Sequence, residues 1–175
     1  KELTDQVTAG ISTPATGLAP QGLAKTDSGE DLAKFVAPGY KFDPKKAATL
    51  FQEGLKEVGE TKATFTVTSD ADSPAAKSTL DYLQGSWEKA LPGLKINQKF
   101  VPFSQRIKDS QTQNFDIVVS LWGGDYPEGS TYYDIFKTDA SNNNGQFKNA
   151  AYDAAVNKAE STDALKESAR DNDYK

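Results

Sequence analysis

No cysteine and no histidine occur anywhere in the 175 residues. The first absence removes disulfides, thiolate metal sites and cysteine nucleophiles. The second removes the Ser-His-Asp triad, histidine-ligated zinc and imidazole acid–base catalysis, and with them the chemistry of most hydrolases. Methionine is missing too, position 1 included, so the chain is expected to be a processed product or an excised piece. Lys1-Glu2-Leu3-Thr4 carries no apolar signal-peptide core. Guanidinium groups stand only at Arg106 and Arg170. Phosphate backbones need clustered Lys and Arg, so no nucleic-acid partner is expected. The apolar runs are a few residues long, far short of a bilayer span.

What remains is a water-facing globular composition. Basic residues number 20 against 25 acidic ones, for a net charge of -5, and 37% of the chain is hydrophobic. The pI is near 4.8 and the mean hydropathy -0.64. The length suits a single domain over residues 1–175 with its own core. No cofactor or metal is called for.

Local signals divide the chain. Residues 3–9 start as a short helix, and Thr13 to Gly22, rich in turn formers, reads as a strap anchored by Ile11, Leu18 and Leu23. Residues 27–39 read as irregular, with a helical turn over 31–35. A helix opens at Asp43-Pro44 and stops at Gly59, with Ala47, Leu50, Phe51, Leu55 and Val58 as its buried stripe. Residues 64–68 alternate as a strand, with Phe65 and Val67 on one face. Ser73-Pro74 then starts a helix with Leu80, Leu83, Trp87 and Leu91 on one side, stopped by Pro92-Gly93. A second strand over 94–101, a polar helix over 104–111 and a third strand over 115–121 follow. The remainder reads as a short aromatic helix over 131–136, an exposed loop over 141–145, and helices over 150–159 and 163–170.

Strand, helix, strand, helix, strand predicts an α/β fold with a small parallel sheet flanked by helices. The third strand is the most continuously apolar and is expected at the centre. Ligands of open α/β sheets bind beyond the strand C-termini. The expected rim is residues 69–73, 101–104 and 122–126.

The rim loop Leu121-Trp122-Gly123-Gly124-Asp125-Tyr126 is the main candidate site. Gly123 and Gly124 carry no Cβ and admit a second backbone. Trp122 offers a flat apolar wall and Asp125 one fixed negative charge. That set suits an extended ligand with an ammonium terminus, such as a peptide. The other reading is a tight strand-to-loop turn in which Asp125 caps the next segment. Asp125, Glu128 and Asp134 could alternatively form a glycosidase carboxylate pair, which needs two groups about 5 Å or about 6.5–9.5 Å apart. Asp70, Asp72 and Ser73 suggest a calcium loop, or more simply an acid-rich helix N-terminus. Trp87 and Phe136 read as core. Tyr132 and Tyr133, adjacent on a helix, cannot both face inward. Asn142 to Asn144 read as an exposed turn.

Four segments in order resemble the oligopeptide- and dipeptide-binding proteins of ABC importers. They are Pro14-Ala15-Thr16-Gly17-Leu18-Ala19-Pro20; Phe42-Asp43-Pro44-Lys45-Lys46-Ala47 through Leu50; Phe115-Asp116-Ile117-Val118-Val119-Ser120-Leu121-Trp122-Gly123-Gly124-Asp125-Tyr126; and Asn149-Ala150-Ala151-Tyr152-Asp153. The resemblance covers most of residues 8–160. It implies the second, C-terminal lobe of a periplasmic-binding-protein-like fold (type II, cluster C), with the N-terminal lobe outside the chain. It further implies an oligopeptide ligand and no catalysis. Asp125 would pair with the ligand's α-ammonium, Leu121 and Gly123 would offer main-chain hydrogen bonds, and Trp122 would line a side-chain pocket. The implied partners are membrane permease subunits, for a monomer on the extracellular face (lipid-anchored) or in the periplasm. Departures from the family pattern fall after Tyr126 and at Val118 and Val119, where some relatives carry a basic residue. A carbohydrate-active enzyme and an adhesion or signalling module on the same fold are the rival readings.

Overall fold

The computed structural model describes residues 1–36, 39 and 41–175. Its elements in order are α1 Glu2–Val7, α2 Leu32–Val36, α3 Pro44–Glu57, β1 Ala63–Asp70, α4 Pro74–Ala90, β2 Leu94–Val101, α5 Phe103–Gln111 and β3 Ile117–Val118. Then come α6 Ser130–Tyr133, a 3-10 turn Asp134–Phe136, α7 Ala150–Glu160 and α8 Glu167–Asp173. Two compact units result. One is Lys1–Ser12 with Lys41–Leu121, the other Thr13–Tyr40 with Trp122–Lys175. Residues 37 and 38 of the expected irregular segment lie outside the described residues.

The first unit is built on a parallel three-stranded sheet in the order β2-β1-β3. β1 and β2 pair from Ala63↔Leu94 to Asp70↔Val101. The expected central position of the third strand is corrected. β1 is central, and its Val67, Thr68 and Ser69 are each 1% exposed, whereas β3 pairs only Ile117 and Val118. The cause is local. The Asp116 carboxylate accepts the Thr66 N–H at 2.8 Å, standing where a ladder carbonyl would. After Val119 N–H donates to the Thr68 carbonyl at 2.9 Å, no backbone bond among the described residues continues the ladder.

The opposite edge is closed by α4, which Ser73 caps by accepting the Ala76 N–H at 3.2 Å. From α4, Gln84 donates to the Ile96 carbonyl at 3.0 Å and Glu88 accepts the Ile96 N–H at 2.8 Å. A covered edge cannot recruit another strand there. The same helix sets Leu80 on Val67 and Ile96, with Trp87, Leu94, Phe100, Ile117 and Val119 around them. Phe65, on the same strand face as Val67, is 39% exposed, so only part of that face is covered.

α3 begins as expected, with Asp43 accepting the Lys46 N–H at 2.9 Å, and it ends before Gly59 at φ +75°. Its stripe is only partly covered. Leu55 is buried, but Leu50 is 55% and Val58 71% exposed, and Ala47 is exposed as well. Periodicity says which residues share a face; it does not say that a neighbour covers the whole face.

The second unit gathers Ala19, Leu32, Tyr133, Val156, Ala159 and Tyr174, with Leu23, Ala24, Val36 and Tyr152 against them. Tyr133 stacks on Tyr174 at 4.6 Å between ring centroids. The strap is anchored by Ala19 and Leu23 rather than by Leu18, because the Asp31 carboxylate draws the turn in at the Gly22 N–H, 2.7 Å away. Ile11, the third expected anchor, is 89% exposed and belongs to the first unit. Asn149 caps α7, accepting the Ala151 and Tyr152 N–H groups. α8 starts later than its pattern suggests. Lys158 and Lys166 hold the Asp163 carboxylate at 2.8 and 2.9 Å, which keeps the preceding residues in turns. Among the described residues, no helix is long and apolar enough to cross a membrane.

Candidate ligand-binding site

Parallel pairing brings the C-terminal ends of all three strands to one end of the first unit's sheet. Asp70 closes β1 there, and Ser120-Leu121 leave β3. Arg106 of α5, 4% exposed, joins them. Its Nε donates to Asp70 Oδ1 at 2.6 Å and its Nη1 to Ser120 Oγ at 3.0 Å. The Phe103 ring lies 5.0 Å from the guanidinium. Leu121, 91% exposed, is the last residue of this unit, and its main-chain groups have no partner among the described residues.

Trp122 to Tyr126 belong to the second unit and are pinned there by α6. The Trp122 indole N–H donates to the Thr131 carbonyl at 2.8 Å, which fixes the ring. Asp125 N–H donates to Thr131 Oγ1 at 2.9 Å, and Gly124 N–H to the Tyr132 hydroxyl at 3.1 Å. The two glycines differ. A Cβ on Gly123 would meet nothing within 4 Å, whereas one on Gly124 would lie 3.0 Å from Tyr132 Cε2. Gly123 therefore leaves room for an approaching backbone, and Gly124 leaves room for Tyr132. The Asp125 carboxylate is exposed and has no hydrogen-bond or ion-pair partner among the described residues.

Trp122 and Asp125 line a cavity of about 490 Å³ together with Asp134, Ile135 and residues 137–142. Leu121, Gly123 and Gly124 are not among its lining residues. Asp134, Lys137 and Asp139 bring further charge to it. Lys137 Nζ lies 3.0 Å from Glu160 and 3.5 Å from Asp134. Burial, reinforced by the hydrogen bond and negative charge of Glu160 and opposed by Lys137, pushes the Asp134 carboxyl up to about 6. The cavity therefore carries an acidic bias, since its one ammonium is already paired.

Other candidates resolve into packing roles. Asp70 serves Arg106 and Ser73 caps α4. Glu128 accepts from both the N–H and hydroxyl of Ser130. Burial raises its pKa, but the hydrogen bonds from Ser130 and Tyr174 outweigh that and hold the carboxyl below its ordinary value. Tyr133 is the inward member of its pair, while Tyr132 turns to the loop. Trp87 packs against the sheet core and Phe136 is half-buried. Asn143 is half-buried rather than exposed, its amide bridging the Lys137 and Phe147 carbonyls. Sequence reasoning missed Arg106 at the end of the first unit's sheet, and Thr131, Lys137 and Asp139 at the second unit's cavity. Only Thr131 had a local signal, an alcohol opening a short helix behind the loop.

The first unit thus ends its sheet in uncovered main chain at Leu121, and the second unit holds a polar cavity lined by Trp122 and Asp125. The chain belongs to the bacterial extracellular solute-binding proteins, family 5 Middle, whose family model matches residues 1–144. Members of this family are substrate-binding proteins, not enzymes. A dipeptide-binding protein of Lactococcus lactis subsp. cremoris is 43% identical over 94% of this chain and 30% of its own length. The crystal structure of a peptide-binding protein of a peptide ABC transporter superposes with a TM-score of 0.90 at 35% identity, covering 99% of this chain and 77% of that one. Listeria monocytogenes OppA bound to peptide gives a TM-score of 0.87 at 32% identity, covering 99% of this chain and 32% of that one. The fold is thus a fragment of the periplasmic-binding-protein-like fold, and the chain spans about a third of the length of the curated relative.

Proposed function

We propose that this chain is part of the C-terminal lobe of an extracytoplasmic oligopeptide-binding protein that delivers its ligand to the permease of an ABC importer. The observation that carries the reading is Asp125. Its backbone is fixed by Thr131, and its carboxylate is free at a cavity walled by Trp122. That arrangement suits a peptide α-ammonium, while the unpaired main chain of Leu121 and the open space at Gly123 suit an extended peptide backbone. The names of the relatives, dipeptide-binding protein and OppA bound to peptide, support the same ligand class.

The mechanism is capture without chemistry, by a monomer that is lipid-anchored on the cell surface or free in a periplasm. Two lobes close on the peptide, and exclusion of water strengthens the carboxylate–ammonium attraction. Mass spectrometry of small molecules released from the purified full-length protein tests the reading. Peptides with free amino termini are expected in stoichiometric amount. A sugar or another non-peptide ligand at that stoichiometry would contradict it.

A further inference from the structure

We infer that Arg106 is a positioning residue of the binding edge: it holds Ser120, and through it the free main chain of Leu121, in the absence of a β-ladder. The inference rests on the peptide-binding reading. A main chain that offers hydrogen bonds to a ligand must leave them unpaired, yet an unpaired extended segment loses order. β3 shows the problem directly, since it pairs two residues and its last backbone bond is Val119 N–H to Thr68. Ser120 is the next residue, and its tie is a side-chain one.

The tie is stiff. The guanidinium is buried and gripped by Asp70 at 2.6 Å, and the Phe103 ring stands over it. Its planar fork leaves a second N–H aimed at Ser120 Oγ at 3.0 Å. Asp70 alone supplies the counter-charge that a buried Arg needs. The bond to Ser120 adds no charge neutralisation; it joins the β1 end to the exit of β3. Holding a binding group before the ligand arrives raises affinity by lowering the ordering cost.

The test compares wild type, Ser120→Ala and Arg106→Lys in the full-length protein. Lysine retains the charge for Asp70 but lacks the fork. Calorimetry with a peptide should show about tenfold or more weaker binding in each variant, and the double variant should be no weaker than the worse single one. NMR of unliganded protein should show lower backbone order at Leu121 in Ser120→Ala, a substitution at an exposed site that spares the ion pair. If wild type binds no peptide, the functional reading fails, and lost order at Leu121 would still support the tether. If wild type binds and Ser120→Ala binds equally tightly, the inference is overturned, whatever the order at Leu121. Additive losses in the double variant would also overturn it, by assigning the two residues separate structural roles.

Discussion

Asp134 and Asp125 face the same cavity with different duties. Asp125 is exposed and unpaired, so its charge is available to a ligand. Asp134 is crowded by Glu160 and partly buried, and its folded-state carboxyl is raised from 3.8 to about 6. The sign follows from linkage. The folded protein holds this proton more tightly than the unfolded chain, so the contribution to stability is complete below 3.8 and is lost as pH rises through about 6. Asp134→Asn keeps a neutral side chain at every pH. Its melting temperature should therefore gain on wild type as pH is raised from about 4 to about 7, as read by thermal denaturation. A constant difference across that range would show that Asp134 titrates normally.

At the scale of elements, the join between α7 and α8 is electrostatic. Lys158 reaches Asp163 at 2.8 Å and Asp173 at 2.6 Å, and Lys166 reaches Asp163 at 2.9 Å. Hydrogen bonds from Lys158 and Lys166 lower the Asp163 carboxyl to about 2. A depressed carboxylate stabilises the fold above its unfolded pKa of 3.8, and the effect disappears as pH falls through about 2. Asp163→Asn should accordingly melt below wild type at neutral pH, with the two curves converging near pH 2 in acid titrations followed by circular dichroism. The helices whose starts were legible in sequence, at Asp43, Ser73 and Asn149, are those whose caps bond within three residues. α8 was misplaced because its start depends on an ion cluster joining Lys158 to Asp163. β3 was misplaced for a related reason: strand order is a long-range property, which an apolar run does not report. Trp122 and Asp125 were legible from composition after a strand. The Arg106 tie was not, since Asp70, Arg106 and Ser120 are widely spaced in the chain.

For the molecule as a whole, the proposed reading is half a cleft. The chain supplies one fixed carboxylate and one aromatic wall, and the curated dipeptide-binding relative is about three times as long. On the proposed reading, closure of a second lobe strengthens the Coulomb attraction by removing water, and the desolvation it costs makes the loss of either partner expensive. The proposed function turns on the pairing of Asp125 with a peptide amino terminus. Titration calorimetry of the full-length protein should use a free peptide and its N-acetylated form, each against wild type and Asp125→Ala. Either change alone should weaken binding by about 3–5 kcal/mol, and both together should cost little more than one. Unchanged affinity for the acetylated peptide and for Asp125→Ala would contradict that pairing.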